Sequence, residues 1–170
     1  NLQPASLFAV RIRAFTQKGQ EASWGNFFQI NVATKPSQVT NLKLTSSDTS
    51  ITAKWSAVNG ASGYRIYVYN SSTKKYKLKK TASSTSSITG LKPNKTYKVK
   101  VAAFKSCDNM TFVGTKSKAI KIKTKNKRVT LSSAKSKKKK KITVKWKKKS
   151  GVSGYQVMWS TSSNFKKNFL

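Results

Sequence analysis

The chain carries 36 lysines and arginines against 3 carboxylates in 170 residues, a net charge of +33, and it has no histidine. One cysteine rules out a disulfide framework, and so few carboxylates leave little for acid–base or metal chemistry. No apolar run approaches the roughly 18 residues that a bilayer-spanning helix needs.

From the N-terminus, LQPASLFAVRIRAF (2–15) returns without a gap as LKPNKTYKVKVAAF (91–104), a spacing of 89. Leu2, Pro4, Val10, Ala14 and Phe15 recur as Leu91, Pro93, Val99, Ala103 and Phe104. A second phrase, ITAKWSAVNGASGYRIYV (51–68), returns as ITVKWKKKSGVSGYQVMW (142–159), a spacing of 91. Ile51, Trp55, Gly60, Gly63 and Tyr64 map onto Ile142, Trp146, Gly151, Gly154 and Tyr155. Two different phrases with one period mean that a whole unit repeats, and the period suits a small independent domain. The expected organisation is the last strands of one unit at 1–36, a complete unit at 37–125, and the first strands of another at 126–170. Such a stretch reads as cut from a longer array.

Seven short strands are predicted in the complete unit, each with apolar residues alternating with polar ones. In chain order they are Leu42–Leu44; Ile51, Ala53 and Trp55; Tyr64, Ile66 and Val68; Tyr76–Leu78; Ile88; Tyr97, Val99, Val101 and Ala103; and Ile120 with Ile122. SSDTS, NGASG, NSSTK, ASSTSS and KPN separate them as turns. Asp48 is expected to cap its own turn, and KSCDNMTFVGT (105–115) to be the loop between the last two strands. In the third unit, KSKKKKK (135–141) and KKKS (147–150) are expected in turns around the Trp146 strand. No stretch has helical periodicity, so the expectation is an all-β, two-sheet sandwich in tandem repeats. Its core is predicted from Trp55, Tyr64, Ile66, Leu91, Pro93, Tyr97, Val99 and Val101. In L-x-P-x-x-x-Y the leucine fills the core, the proline stiffens the crossing, and the tyrosine hydroxyl reaches back to the corner backbone. Phe8 stands where this tyrosine would be in the first unit, so that corner must lack the hydroxyl bond.

Trp55, the Y-x-I-x-V run from Tyr64, the Leu91–Pro93–Tyr97 corner and the period near 90 resemble the fibronectin type III family. GASGY and GVSGY before the third strand, with abundant lysine and scarce cysteine, look like repeats of secreted and surface proteins of Gram-positive gut bacteria. The resemblance implies an immunoglobulin-like sandwich with a non-catalytic spacer or adhesion role, in a secreted or cell-wall-associated protein. It also implies that the third, sixth and seventh strands are neighbours. Arg65, Tyr67, Tyr69, Lys98, Lys100, Lys121 and Lys123 would then share one outward face, suited to an anionic cell-wall polymer or a polysaccharide.

The plainer reading of that face is solvated lysines on an exposed sheet, where they also discourage edge pairing. The charge per residue climbs along the chain, with +3 over 1–36, +16 over 37–125 and +14 over the shorter 126–170. Five consecutive lysines often mark nucleic-acid arms, but here they sit inside a strand–turn–strand repeat, which argues against a nucleic-acid partner. Glu21, Asp48 and Asp108 are scattered, no nucleophile or phosphate-loop motif occurs, and no cofactor or metal is expected. Cys107 is read as an incidental loop residue. The remaining alternative is an accessory domain of a secreted glycoside hydrolase, with other parts of the same chain as partners.

Overall fold

Apolar and aromatic residues at alternate positions favour strands at Ile51–Lys54, Gly63–Asn70 and Thr96–Cys107. The computed structural model describes residues 1–160, so the end of the expected third unit, 161–170, lies outside the described residues. Fourteen strands are found among those residues: β1 (Leu7–Ile12), β2 (Phe15–Lys18), β3 (Glu21–Trp24), β4 (Phe28–Ala33), β5 (Lys43–Ser46), β6 (Ile51–Lys54) and β7 (Gly63–Asn70), followed by β8 (Lys75–Ala82), β9 (Ser86–Ile88), β10 (Thr96–Cys107), β11 (Met110–Val113), β12 (Ile120–Lys123), β13 (Leu131–Lys138) and β14 (Lys141–Trp146). They group into two compact units, Asn1–Lys125 and a second beginning at Asn126.

Within the first unit, β5–β6–β9 form one antiparallel sheet and β11–β10–β7–β8 another, with β12 also paired to β10. The sheets close over Ile51, Ala53, Tyr64, Ile66, Val68, Leu91, Val99, Val101 and Ala103, all buried. Trp55 and Tyr97 are half-buried and pack against that core, and Pro93 is half-buried at the corner. One edge is bridged between sheets, where Ser46 Oγ donates to the Lys123 carbonyl at 2.8 Å and Lys125 N to that of Ser47 at 2.8 Å.

Three sequence expectations need correction. Residues 105–115 are not a loop. β10 runs on to Cys107 and returns as β11 through a hairpin in which Cys107 faces Met110 and Asp108 takes a left-handed conformation. Cys107 is therefore a buried strand residue. Asp48 does not supply the bonds that close its turn; Ser47 Oγ accepts from the Thr49 and Ser50 amides at 3.2 and 3.0 Å. The lysine run 135–141 is mostly strand, with Lys135–Lys138 in β13 and only Lys139 and Lys140 at the hairpin tip. Cross-strand pairing with the Ile142–Trp146 segment outweighs the weak strand preference of lysine.

β11 and β12 are one strand interrupted at residues 114–119. The Ser117 amide donates to the Val101 carbonyl at 2.8 Å, and the Ser117 hydroxyl takes the Val101 amide at 3.0 Å. A buried hydroxyl thus replaces the carbonyl that a regular ladder would offer, satisfying a backbone donor inside the sandwich.

The corner that the sequence marked is held by two side chains. The Tyr97 hydroxyl accepts from the Lys92 amide at 2.9 Å. Thr124, which sequence reasoning missed, donates from Oγ1 to the Lys92 carbonyl at 2.7 Å and accepts from the Lys95 amide at 3.0 Å. Thr34 makes the equivalent bonds in the first 36 residues, donating to the Gln3 carbonyl at 2.6 Å and accepting from the Ser6 amide at 3.0 Å. No hydroxyl stands at Phe8, and the corner keeps its threonine clamp alone.

Other bonds recur at the same spacing. The registers Phe8↔Val32 and Val10↔Ile30 repeat as Tyr97↔Ile122 and Val99↔Ile120. Gly25 N donates to the Ala14 carbonyl as Gly114 N does to that of Ala103, each at 2.9 Å. The hydroxyls of Tyr64 and Tyr155 accept from the amides of Val58 and Lys149 at 2.8 and 2.5 Å. Their rings lie 5.0 Å from Trp55 and 5.4 Å from Trp146 respectively.

Residues 1–36 also touch 37–125. The Ala5 methyl is buried, and a Cβ built on Gly60, whose φ is +71°, would stand 3.0 Å from it and from the Ala5 carbonyl oxygen. Gly60→Ala should therefore destabilise the first unit by about 1–2 kcal/mol from the left-handed backbone alone, read as a lower midpoint in urea. Adding Ala5→Gly should recover only the part due to the close contact.

Candidate functional site

The outward face of the larger sheet is built by the alternation that fills the core. β7 buries Tyr64, Ile66 and Val68, which turns Arg65, Tyr67 and Tyr69 outward; β10 buries Val99 and Val101, which turns Lys98 and Lys100 outward. β10 lies between β7 and β12, with Lys100 opposite Tyr67 and Lys98 opposite Lys121. Lys123 stands across from Thr96 at the end of the ladder. The seven residues predicted for this face thus lie on three adjacent strands.

Two further residues complete it. Tyr76 on β8 pairs with Tyr69, their ring centres 5.3 Å apart in an edge-on arrangement. Lys116, in the break between β11 and β12, places Nζ 4.6 Å above the Tyr67 ring. Lys98 Nζ is 4.9 Å from the Tyr69 ring and Lys100 Nζ 4.8 Å from that of Tyr76. Each tyrosine therefore has an ammonium over it. Arg65 stands apart from this cluster, its guanidinium 5.4 Å from the Phe104 ring.

Like charges opposed on neighbouring strands destabilise a sheet, and no carboxylate belongs to this set of residues. Cation–π contacts worth about 0.5–1 kcal/mol each at exposed sites partly offset that repulsion. The ring faces are then covered by the protein's own lysines, so flat stacking of a sugar on these tyrosines requires the lysines to move. The outward ammonium groups remain available to an anion. The face is an electrostatic surface.

The three carboxylates lie apart, Glu21 on β3, Asp48 in the β5–β6 turn and Asp108 at the β10–β11 tip. Among the described residues no three metal-ligating side chains gather, and no helix is long and apolar enough to cross a membrane.

The family model for the fibronectin type III domain matches residues 36–112. The fold of the larger unit is the fibronectin type III sandwich. The fibronectin type III fold is also that of a solved structure of the chicken CNTN1 FN1-FN3 domains, at 22% identity and a TM-score of 0.51 over 74% of this chain. The chain spans 45% of that structure. A two-domain fibronectin type III segment from chicken tenascin is 16% identical, with a TM-score of 0.46 over 68% of this chain and 65% of its own. FN3tt is 21% identical, with a TM-score of 0.46 over 55% of this chain and 99% of its own. No curated protein sequence matches.

Proposed function

We propose that this chain is a stretch of a tandem fibronectin type III array that acts as a non-catalytic spacer in a secreted or cell-wall-associated multidomain protein, with 37–125 its complete unit and 1–36 and 126–170 parts of the units on either side. The observation that supports it is the return of the same threonine clamp, strand register and Trp–Tyr ring pair at spacings of 89 to 91 residues. The junction at Thr34–Ser37 is short and held: Thr34 is bonded on both sides of its hydroxyl, Pro36 is buried, and Gln38 Nε2 donates to the Lys116 carbonyl at 2.8 Å. A joint of this kind transmits orientation where a Gly/Ser tether would not. The lysine-rich composition fits repeats from the surface of Gram-positive gut bacteria, and a glycoside hydrolase is one kind of neighbour such a spacer would carry. Limited proteolysis of the dilute chain should leave a resistant core near 37–125; a chain cleaved evenly throughout, or resistant throughout, would count against this reading.

A second reading is supported by the lysines held over the Tyr67, Tyr69 and Tyr76 rings. The face then contacts an anionic polymer such as teichoic acid, through charge. Retention on a teichoic acid column should fall steeply with added salt as the charges are screened, and Lys98→Gln with Lys100→Gln should shift elution to lower salt. Retention indifferent to salt, or unchanged in the double variant, excludes this face.

A further inference from the structure

β13 and β14 carry a basic cleft on the side away from their apolar residues. Ile142, Val144 and Trp146 hold the places of Ile51, Ala53 and Trp55, which are buried in the core of 37–125 or packed against it. Thr143 and Lys145 alternate with them, as Thr52 and Lys54 do on β6, and so take the outer side of a sandwich. In the complete unit that side is open to solvent at Lys43, Thr45 and Lys54. The cleft is therefore a feature of the outer surface and no part of a core; this placement rests on the repeat reading above.

Ser133, Lys135, Lys137, Thr143 and Lys145 line the cleft, which is about 220 Å³ in volume. Its lysines are set differently from those on the same face of β5 and β6. There Lys43 stands directly opposite Lys54, and Thr45 opposite Thr52. Here Lys145 stands opposite Ser133 and Lys135 opposite Thr143, and a register shift follows between Lys135 and Lys138. Such a shift bends a strand and increases its twist, and Lys137 joins the other two lysines around the hydroxyls. No carboxylate occurs in 126–170, so three ammonium groups converge at a cost that no acidic residue of the segment offsets.

We propose that this cleft binds the phosphates of a polyol-phosphate polymer. Ammonium and hydroxyl donors around one concavity suit a tetrahedral anion. Lysine takes phosphate as a point charge, whereas planar carboxylates favour the arginine fork, and no arginine lines the cleft. Alternate residues of a strand lie about 7 Å apart, a separation that suits successive phosphates joined through a short polyol, and Lys135 and Lys137 are alternate residues of β13. A nucleic acid strand fits less well, because no aromatic side chain lines the cleft to stack a base. The cleft shares no residue with the lysine–tyrosine face of 37–125, so it is a separate contact.

Binding of the full chain to a labelled glycerol-phosphate polymer, read by fluorescence anisotropy at fixed salt, tests this. Lys135→Gln with Lys145→Gln should raise the dissociation constant about tenfold or more, the loss expected when charge-assisted hydrogen bonds are removed. Lys127→Gln with Lys148→Gln takes the same charge from exposed positions outside the cleft and should change it little, since solvent screens such charges. All four lysines are exposed, so the melting transition of 37–125 should stay in place in both variants. Oligothymidine and polyglutamate of matched charge should bind more weakly and lose equally in the two variants. Equal losses on the glycerol-phosphate polymer would leave only diffuse charge and overturn the proposal. So would a nucleic acid or polyglutamate that depends on Lys135 and Lys145 just as strongly. Either result leaves the repeat reading standing, because the resistant core near 37–125 is measured without polymer.

Discussion

Ile66→Ala should lower the unfolding free energy of the first unit by about 2–5 kcal/mol. Ile66 is fully buried on β7, opposite Val101 on β10, and packs in the cluster with Ile51, Val99 and Tyr64. Truncation removes three methyl or methylene carbons and leaves a cavity between two sheets that hydrogen bonding holds in place. For a domain of this size each kcal/mol moves the melting temperature by about 4–8 °C, so the transition should fall by about 8 °C or more. Lys121→Ala, on the exposed side of the same sheet, is the control and should move it little. Equal shifts for the two variants would mean that β7 and β12 do not present the faces described.

Thr124→Val should cost about 1–3 kcal/mol, more than Tyr97→Phe, although both residues hold the same corner. Thr124 is buried, and valine matches its shape while removing the donor to the Lys92 carbonyl and the acceptor for the Lys95 amide. The Lys95 amide then loses its side-chain acceptor in a partly buried position. Tyr97 donates no packing that phenylalanine lacks, and the Lys92 amide it serves is exposed, so water can replace the hydroxyl. That exchange should cost roughly 0.5–1.5 kcal/mol at most. The first 36 residues already contain the milder change, with Phe8 in place of tyrosine and Thr34 retained. Denaturant midpoints of the two variants check the order; a larger loss for Tyr97→Phe would reverse the assignment.

The parts of this fold governed by alternation were legible in advance. Tyr64, Ile66 and Val68 against Arg65, Tyr67 and Tyr69 define both faces of β7 without coordinates, because a period of two fixes which side chain points inward. The Leu91–Pro93–Tyr97 corner was equally plain. The parts set by pairing between distant residues were not. Cys107–Val113 has no clean alternation, so its hairpin follows from β10 extending past Phe104. The lysines of β13 look like a turn until Ile142–Trp146 is laid beside them. Thr124 is one threonine among many, and only its recurrence at Thr34 distinguishes it. On the basic face, Tyr76 and Lys116 come from outside the three strands considered, and their places depend on the β7–β8 register and on the break at residues 114–119.

Native-state hydrogen exchange of the dilute full chain, resolved by mass spectrometry, tests the central claim most directly. Slow exchange should be confined to residues 37–125 and strongest in β6, β7 and β10, whose amides close the sandwich core. Exchange in β13 and β14 should be faster by orders of magnitude, because their sheet has two strands and lacks an opposing layer among the described residues. Equal protection across all three segments, or β7 and β10 exchanging as fast as β13, would contradict a single complete sandwich between two partial ones.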